Sequence, residues 1–395
     1  MIFNKITSTK IYPQHWKIEH GVAIPKVSPP ESESDLRVIS KTPFLSKLYE
    51  SFISKWLLDI IMPFLDPSQC GLKGLSITHY LIRFLQFIHS SLDSYKPHAV
   101  IAAFIDMKKA FNRVDHNLLV QDLYDMHCSA WLLNIIISFL SDRKLSFAYK
   151  GNIARMMDLP GGAPQGCFLG AIIFIVKFNG ALMRPSIQRP RLSLSKPSAN
   201  RLKYFDDATV AVSLQLDSVL KSDPKTRERP FTFSERYQKV LPSKQNILQQ
   251  QLKNMEKFST KIRMIIDKEK TKAMKFTRVI KTDFPLEVAF KDGAYLEVIK
   301  EVKLLGVIVD DKLGWNANSD YICKKAMSKL WLLRNMKKSG LTKTQLIDAY
   351  VKEVRSLLEL AVPVWYSSIS KIQSQKIETV QKAALAHMTY NLKKC

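Results

Sequence analysis

Asp206 and Asp207 stand side by side in the tetrapeptide Tyr204-Phe205-Asp206-Asp207. The residues before them read as a short strand and Ala208-Thr209-Val210-Ala211-Val212 as a second, which puts the acidic pair at a hairpin turn. Adjacent carboxylates repel each other, and a fold tolerates that readily only when cations share the charge. Mg²⁺ suits such a place because it takes hard oxygen ligands from a few carboxylates and from phosphates. Taken alone, the pair reads first as a solvated Asp-Asp turn. A second acidic position shifts that balance. Ala99 to Ile105 is an apolar run of buried-strand length that stops abruptly at Asp106. A carboxylate at the carboxyl end of a buried strand lies where open α/β sheets place their chemistry. If this strand pairs with the hairpin, three carboxylates gather into the cradle of a two-metal phosphoryl-transfer site, its ions roughly 4 Å apart.

The spacing around these residues resembles a known family. Phe104-Ile105-Asp106-Met107-Lys108-Lys109-Ala110-Phe111 is similar to the first palm motif of reverse transcriptases, F-x-D-x-x-x-A-F, and Tyr204 to Asp207 to their Y-x-D-D box. Between them, Gly162-Ala163-Pro164-Gln165-Gly166-Cys167-Phe168-Leu169-Gly170 resembles G-x-P-Q-G-x-x-L-G. Ile266 to Lys272 matches L-N-x-x-K-T-K loosely, and Leu304-Leu305-Gly306 the hydrophobic-Leu-Gly element. Gln69-Cys70-Gly71-Leu72-Lys73 resembles Q-x-G-F-R/K. The elements occur in the family's order, and the chain looks like a reverse transcriptase of a non-LTR, LINE-type, Jockey-like retrotransposon. Cys167 stands where Ser is usual, Ala171 where Pro is usual and Asp267 where Asn is usual.

The resemblance implies an α+β right-hand polymerase fold, with an antiparallel palm sheet, fingers and a helical thumb. It implies RNA-directed DNA polymerase activity through two Mg²⁺ ions, with Mn²⁺ as an alternative. The metal ligands would be Asp106, Asp206 and Asp207 with the backbone carbonyl of Met107. Phe111 would pack against the sugar of the incoming nucleotide, and Gln165 would contact that nucleotide in a turn where Gly166 permits close approach. Lys73 is a candidate for the nucleotide's phosphates and Lys270 for assisting the leaving group; for both lysines a plain surface role weighs equally. The implied partners are an RNA template, a DNA primer and dNTPs. Two rival readings stay open: an RNA-directed RNA polymerase, against which Phe111 speaks, and a catalytically silent nucleic-acid-binding remnant of a truncated element. The stretch before Trp16 leaves no room for the endonuclease such elements carry, so retrotransposition by this chain alone is not expected.

The elements that must position these residues are legible in outline. Residues 1–23 read as an N-terminal extension, 24–278 as fingers and palm, and 279–395 as a hairpin followed by a helical thumb. Lys47 to Leu65 and Ile77 to Leu92 carry helical apolar spacing, and Ser28-Pro29-Pro30-Glu31-Ser32 reads as a loop. Pro185 to Asn200 and Asp217 to Lys244 read as polar interruptions of the palm, the second preceding a helix over Gln249 to Ile262. Ile322, Ala326, Leu330, Leu333 and Met336 form one helical stripe, Gly340 closes it, and Thr342 can cap the next helix. Lys324, Lys325, Lys329, Arg334, Lys337 and Lys338 lie mostly off the stripe, as a solvated face or as a duplex-tracking surface. Trp365 and Tyr366 read as core ahead of base-stacking platforms.

Composition agrees. The 395 residues are 46% hydrophobic and 24% charged, ordinary for a folded protein with a sizeable core. Sixty Lys and Arg against 35 Asp and Glu leave a net +25, which favours polyanionic partners through counterion release. Five scattered cysteines without a C-x-x-C pair argue for free thiols in a reducing compartment. The most continuous apolar run, Leu169 to Val176, is far shorter than a bilayer span. An intracellular protein, nuclear or cytoplasmic, with no membrane partner is the expectation; the oligomeric state is not readable.

Overall fold

A computed structural model describes residues 2–27, 29–32, 35–72, 74–94, 98–149, 151–182, 199–215, 233–278 and 288–389. In chain order the first half holds α1 (Ile2–Thr9), β1 (Ile18–Pro25), β2 (Leu36–Lys41), α2 (Phe44–Ile61), α3 (Ile77–Leu92), β3 (His98–Ile105), α4 (His116–Asp125), α5 (Ala130–Leu140), β4 (Arg143–Tyr149), β5 (Asn152–Ile153), β6 (Met157–Leu159) and α6 (Phe168–Phe178). The second half holds β7 (Ala199–Tyr204), β8 (Asp207–Gln215), α7 (Phe233–Lys261), β9 (Lys272–Thr277), β10 (Glu297–Val298), β11 (Glu301–Leu304), β12 (Val307–Asp310), α8 (Asn316–Lys338), α9 (Lys343–Tyr350), α10 (Ser356–Leu358), α11 (Val362–Trp365) and α12 (Lys371–Thr389). The class is α+β.

The sheet expected to form the palm runs β10-β9-β3-β8-β7, with β3 at its centre. β9, β3, β8 and β7 pair antiparallel as expected, while the short edge strand β10 joins β9 in parallel. β3 is apolar at every position from Ala99 to Ile105 because both faces are covered. Ala99, Ile101, Ala103 and Ile105 belong to a core shared with α2 and α4 to α7. Val100, Ala102 and Phe104 face the other way, into a core shared with α3 and the C-terminal helices. A second five-stranded sheet, β2-β1-β4-β5 with β6 on β4, mixes an antiparallel β1–β2 pair with a parallel β1–β4 pair.

The predicted helix over Ile77 to Leu92 coincides with α3, and the stripe from Ile322 to Leu333 is buried on α8. Gly340 follows α8 at φ +82°, and Thr342 with Gln345 forms a capping box on α9. The polar stretch read as an interruption before Gln249 is helical from Phe233 onward, as the first half of α7. Of the two C-terminal aromatics, Trp365 is buried and donates its indole N–H to the Leu360 carbonyl, whereas Tyr366 is exposed.

Candidate active site

The acidic pair sits on a tight hairpin. Tyr204 at the end of β7 pairs with Asp207 at the start of β8, which leaves Phe205 and Asp206 as a two-residue turn. Phe205 adopts φ +53°, a left-handed backbone that costs a bulky residue about 1–3 kcal/mol unless its surroundings enforce it. The enforcement comes from far upstream. The buried Gln69 amide oxygen accepts the N–H groups of Gly71 at 2.9 Å and Phe205 at 3.2 Å. Residues 68–70 also clasp β7, the Lys203 N–H donating to Ser68 and the Cys70 N–H to Lys203. Gly71 lies so close to the Phe205 ring that a Cβ there would meet it at 3.1 Å. Sequence reasoning placed Gln69 and Gly71 in a motif and missed that they hold this turn; the long separation hides it.

Sheet register brings in the third carboxylate. Ile105 pairs with Ala208, so Asp106 and Asp207 stand one residue beyond that pair on adjacent strands and, by alternation, on the same face. All three carboxyls are half-buried and all are held above the usual carboxylate range. For Asp106 burial is the main cause, opposed by Lys270 and reinforced by Asp267. For Asp206 burial again leads, with repulsion from Asp106 added and Arg37 and Lys270 opposing. Asp207 is pushed up to about 7 by burial and then by Asp206 and Asp106. The site is short of positive charge.

The L-N-x-x-K-T-K-like element closes one side. Lys108 donates its N–H to the Ile265 carbonyl at 2.8 Å, and Asp267 donates its own to the Asp106 carbonyl at 2.9 Å; neither bond uses the Met107 carbonyl. The Asp106 N–H donates to Thr271 Oγ1 at 3.3 Å, and that hydroxyl donates to the Asp267 carbonyl at 2.7 Å. Lys270 Nζ lies 3.6 Å from Asp106 Oδ2 and 3.2 Å from Asp267 Oδ2.

The Pro164-Gln165-Gly166 turn lies between β2 and the Phe111 segment. The Ser40 N–H, on β2, donates to the Gln165 carbonyl at 3.1 Å, and Gly166 adopts φ +113°, where a Cβ would be strained and would meet the Ser40 carbonyl oxygen at 3.1 Å. The Ala163 N–H donates to the Phe111 carbonyl at 2.8 Å, tying the same turn to the first motif. Phe111 is half-buried and stacks on Phe174 of α6. Cys167, standing where Ser is usual, still caps α6, its sulfur accepting the Gly170 N–H at 3.3 Å. Lys73 lies outside the described residues.

Among the described residues, no three His, Cys, Asp or Glu side chains are gathered tightly enough to enclose a metal ion by themselves. The donor set nonetheless fits a hard divalent cation. It consists of carboxylates crowded and desolvated enough to resist ionisation, beside a backbone carbonyl, and a cation would relieve that repulsion. Among the same residues, no helix is long and apolar enough to cross a membrane.

Comparison with known proteins gives the family. Residues 24–309 match the family described as reverse transcriptase (RNA-dependent DNA polymerase). The chain belongs to the reverse transcriptase family, whose members generally use divalent metal ions. Over 98% of its length it is 24% identical to a probable RNA-directed DNA polymerase from transposon BS of Drosophila melanogaster, in line with the retrotransposon resemblance. It spans 40% of that protein. Among solved structures it is similar to telomerase of Candida tropicalis in complex with a TWJ fragment of telomeric RNA, at 12% identity and a TM-score of 0.45 over 98% of this chain and 62% of that one. Telomerase of Candida albicans, likewise with a TWJ fragment, gives 11% and 0.44 over 99% and 68%.

Proposed function

We propose that this chain is the polymerase unit of a non-LTR retrotransposon, extending a DNA primer from dNTPs on an RNA template. The observation that carries this reading is the register that seats Asp106 beside Asp207, with Asp206 on the adjoining turn. Asp106 and Asp206, with the Met107 carbonyl, would hold two Mg²⁺ ions, and Asp207 would complete the acidic cluster. When bound, the ions supply the positive charge that acidifies the primer 3′-hydroxyl and stabilises the leaving pyrophosphate. The primer 3′-hydroxyl gives up its proton to solvent and its oxygen bonds to the α-phosphorus as the bond from that phosphorus to the pyrophosphate oxygen breaks in line.

The protein's own part is placement. The Asp carboxylates fix where phosphate and hydroxyl oxygens can meet, and Phe111 limits the space beside the sugar. The Gln165 turn, bonded to β2, offers backbone and amide contacts to the nucleotide. Lys270, beside Asp106, would assist the leaving phosphates, and Lys73 would be a candidate for a second phosphate contact. Residues 24–278 would make fingers and palm, and 279–395 the hairpin and thumb. The net charge of +25 supports a polyanionic partner. Primer extension on an RNA template in Mg²⁺, with Asp206→Asn as control, tests the reading. Extension that ignores the substitution, or no extension by folded wild-type protein, would defeat it.

A further inference from the structure

We propose that Lys270 is the resident counter-cation of the metal-free site, tethered by Asp267, and that it competes with a divalent ion for Asp106. The inference rests on the metal-site reading above and adds to it an internal competitor. Its basis is geometric. Asp267 is pinned to Asp106 through the backbone bond at 2.9 Å and through the shared Thr271 hydroxyl. It is buried, so its carboxylate occupies a fixed place beside the site. Lys270 comes back one helical turn's worth of chain later and lays its ammonium between the two carboxylates, at 3.2 Å from Asp267 and 3.6 Å from Asp106.

The asymmetry of this pairing gives it a working range. The Lys270 side chain is 67% exposed, so leaving Asp106 costs it little, and an exposed ion pair is weak. The Asp267 side chain is only 10% exposed, and the shorter contact is the one to it. An ion arriving at Asp106 therefore displaces the ammonium from one carboxylate without releasing it from the other. Lys270 stays beside the site, one side-chain rotation from Asp106. Asp267 is a positioning residue in this scheme: an Asn at its place would hold the lysine without the second charge. Of the neighbouring lysines, Lys268 is paired with Asp292, away from the cluster.

The test is Mn²⁺ binding to the metal-free full chain, with free Mn²⁺ read by electron paramagnetic resonance and no nucleotide or primer present. Lys270→Met is expected to tighten Mn²⁺ by about two- to fivefold, the range open to an exposed ion pair. Lys268→Met is expected to change nothing. The gain should shrink but stay measurable in about 0.5 M KCl, where a pair in contact is only partly screened. Melting in EDTA should show Lys270→Met less stable than wild type, and saturating Mn²⁺ should narrow the difference to what the Asp267 contact contributes. Equal Mn²⁺ affinities for wild type and Lys270→Met, or a gain abolished by salt, would overturn the competitor while leaving the metal site standing. Wild-type Mn²⁺ binding that is absent, or unaffected by Asp106→Asn, would overturn the metal-site reading and this inference with it.

Discussion

Phe111 lies face to face with Phe174, the ring centroids 4.5 Å apart and the planes 19° from parallel. One ring of the pair belongs to the core and the other is only half-buried, so Phe111 is a stiff wall backed by α6 and not a loose surface aromatic. A wall so supported excludes by steric clash. Phe111→Ala is expected to raise rNTP use relative to dNTP by about tenfold or more, since each tenfold needs only ~1.4 kcal/mol. The lost stack should also lower stability by about 1–3 kcal/mol, less than a fully buried Phe would cost. Competition between dNTPs and rNTPs, read beside thermal melts, checks both; an unchanged preference in a folded variant would leave Phe111 a core residue only.

Removing one carboxylate charge should separate folding from chemistry. Asp106→Asn and Asp206→Asn each keep side-chain size while deleting a proposed metal ligand. Mg²⁺-dependent extension is expected to vanish in both while duplex binding in EDTA stays near wild type. Rates within a few-fold of wild type would take these residues out of the chemistry.

Asp207 gives the metal-free protein a pH dependence with a definite sign. Its folded pKa of about 7 lies above the ordinary unfolded value of roughly 3.9, so the folded state binds the extra proton between those limits. Stability in EDTA should therefore fall as pH rises from about 4 towards 7 and level off above. Asp207→Asn should flatten that fall and melt higher than wild type at pH 8. Chemical denaturation at several pH values measures it, and parallel curves for the two proteins would contradict the assignment.

Gln69 holds a strained turn, so its loss should be felt at the site. Gln69→Ala leaves the part-buried N–H groups of Gly71 and Phe205 without their acceptor, at a cost of about 1 kcal/mol. Extension by the folded variant is expected to slow by about tenfold or more, because displacing reacting groups by an ångström is costly. Duplex affinity should change little. A variant as fast as wild type would show that the Tyr204–Asp207 turn holds its shape unaided.

Binding to an RNA–DNA duplex should weaken steeply with salt and depend little on base sequence, because phosphate contacts release counterions. Titrations between about 50 and 200 mM KCl supply the slope. A flat line would mean that the excess of lysine and arginine is spread over the surface instead of gathered along a groove.

How much of this was legible beforehand depends on how local the cause is. Asp106 at the end of a strand follows from the uninterrupted apolar run before it, and the hairpin at Asp206 from the two strands that flank it; both signals lie within ten residues. The start of α7 at Phe233 was not legible, because a polar segment with Pro242 inside it reads as a break. Nor was the left-handed Phe205, whose side chain argues against that backbone; the residues that enforce it lie at 69 and 71. Lys270 was visible as a lysine in a motif, but its contact with Asp106 exists only once β9 has paired with β3. Side-chain pairing across the sheet is a tertiary fact.

Because β3 contributes alternate residues to two separate cores, neither core can open without exposing it. Amide protons along Val100 to Phe104 should thus be among the slowest in the chain to exchange with solvent, registering global opening rather than local fraying. The carboxylate at its end inherits that permanence. The Lys270 side chain, 67% exposed, can change rotamer around that point without opening either core.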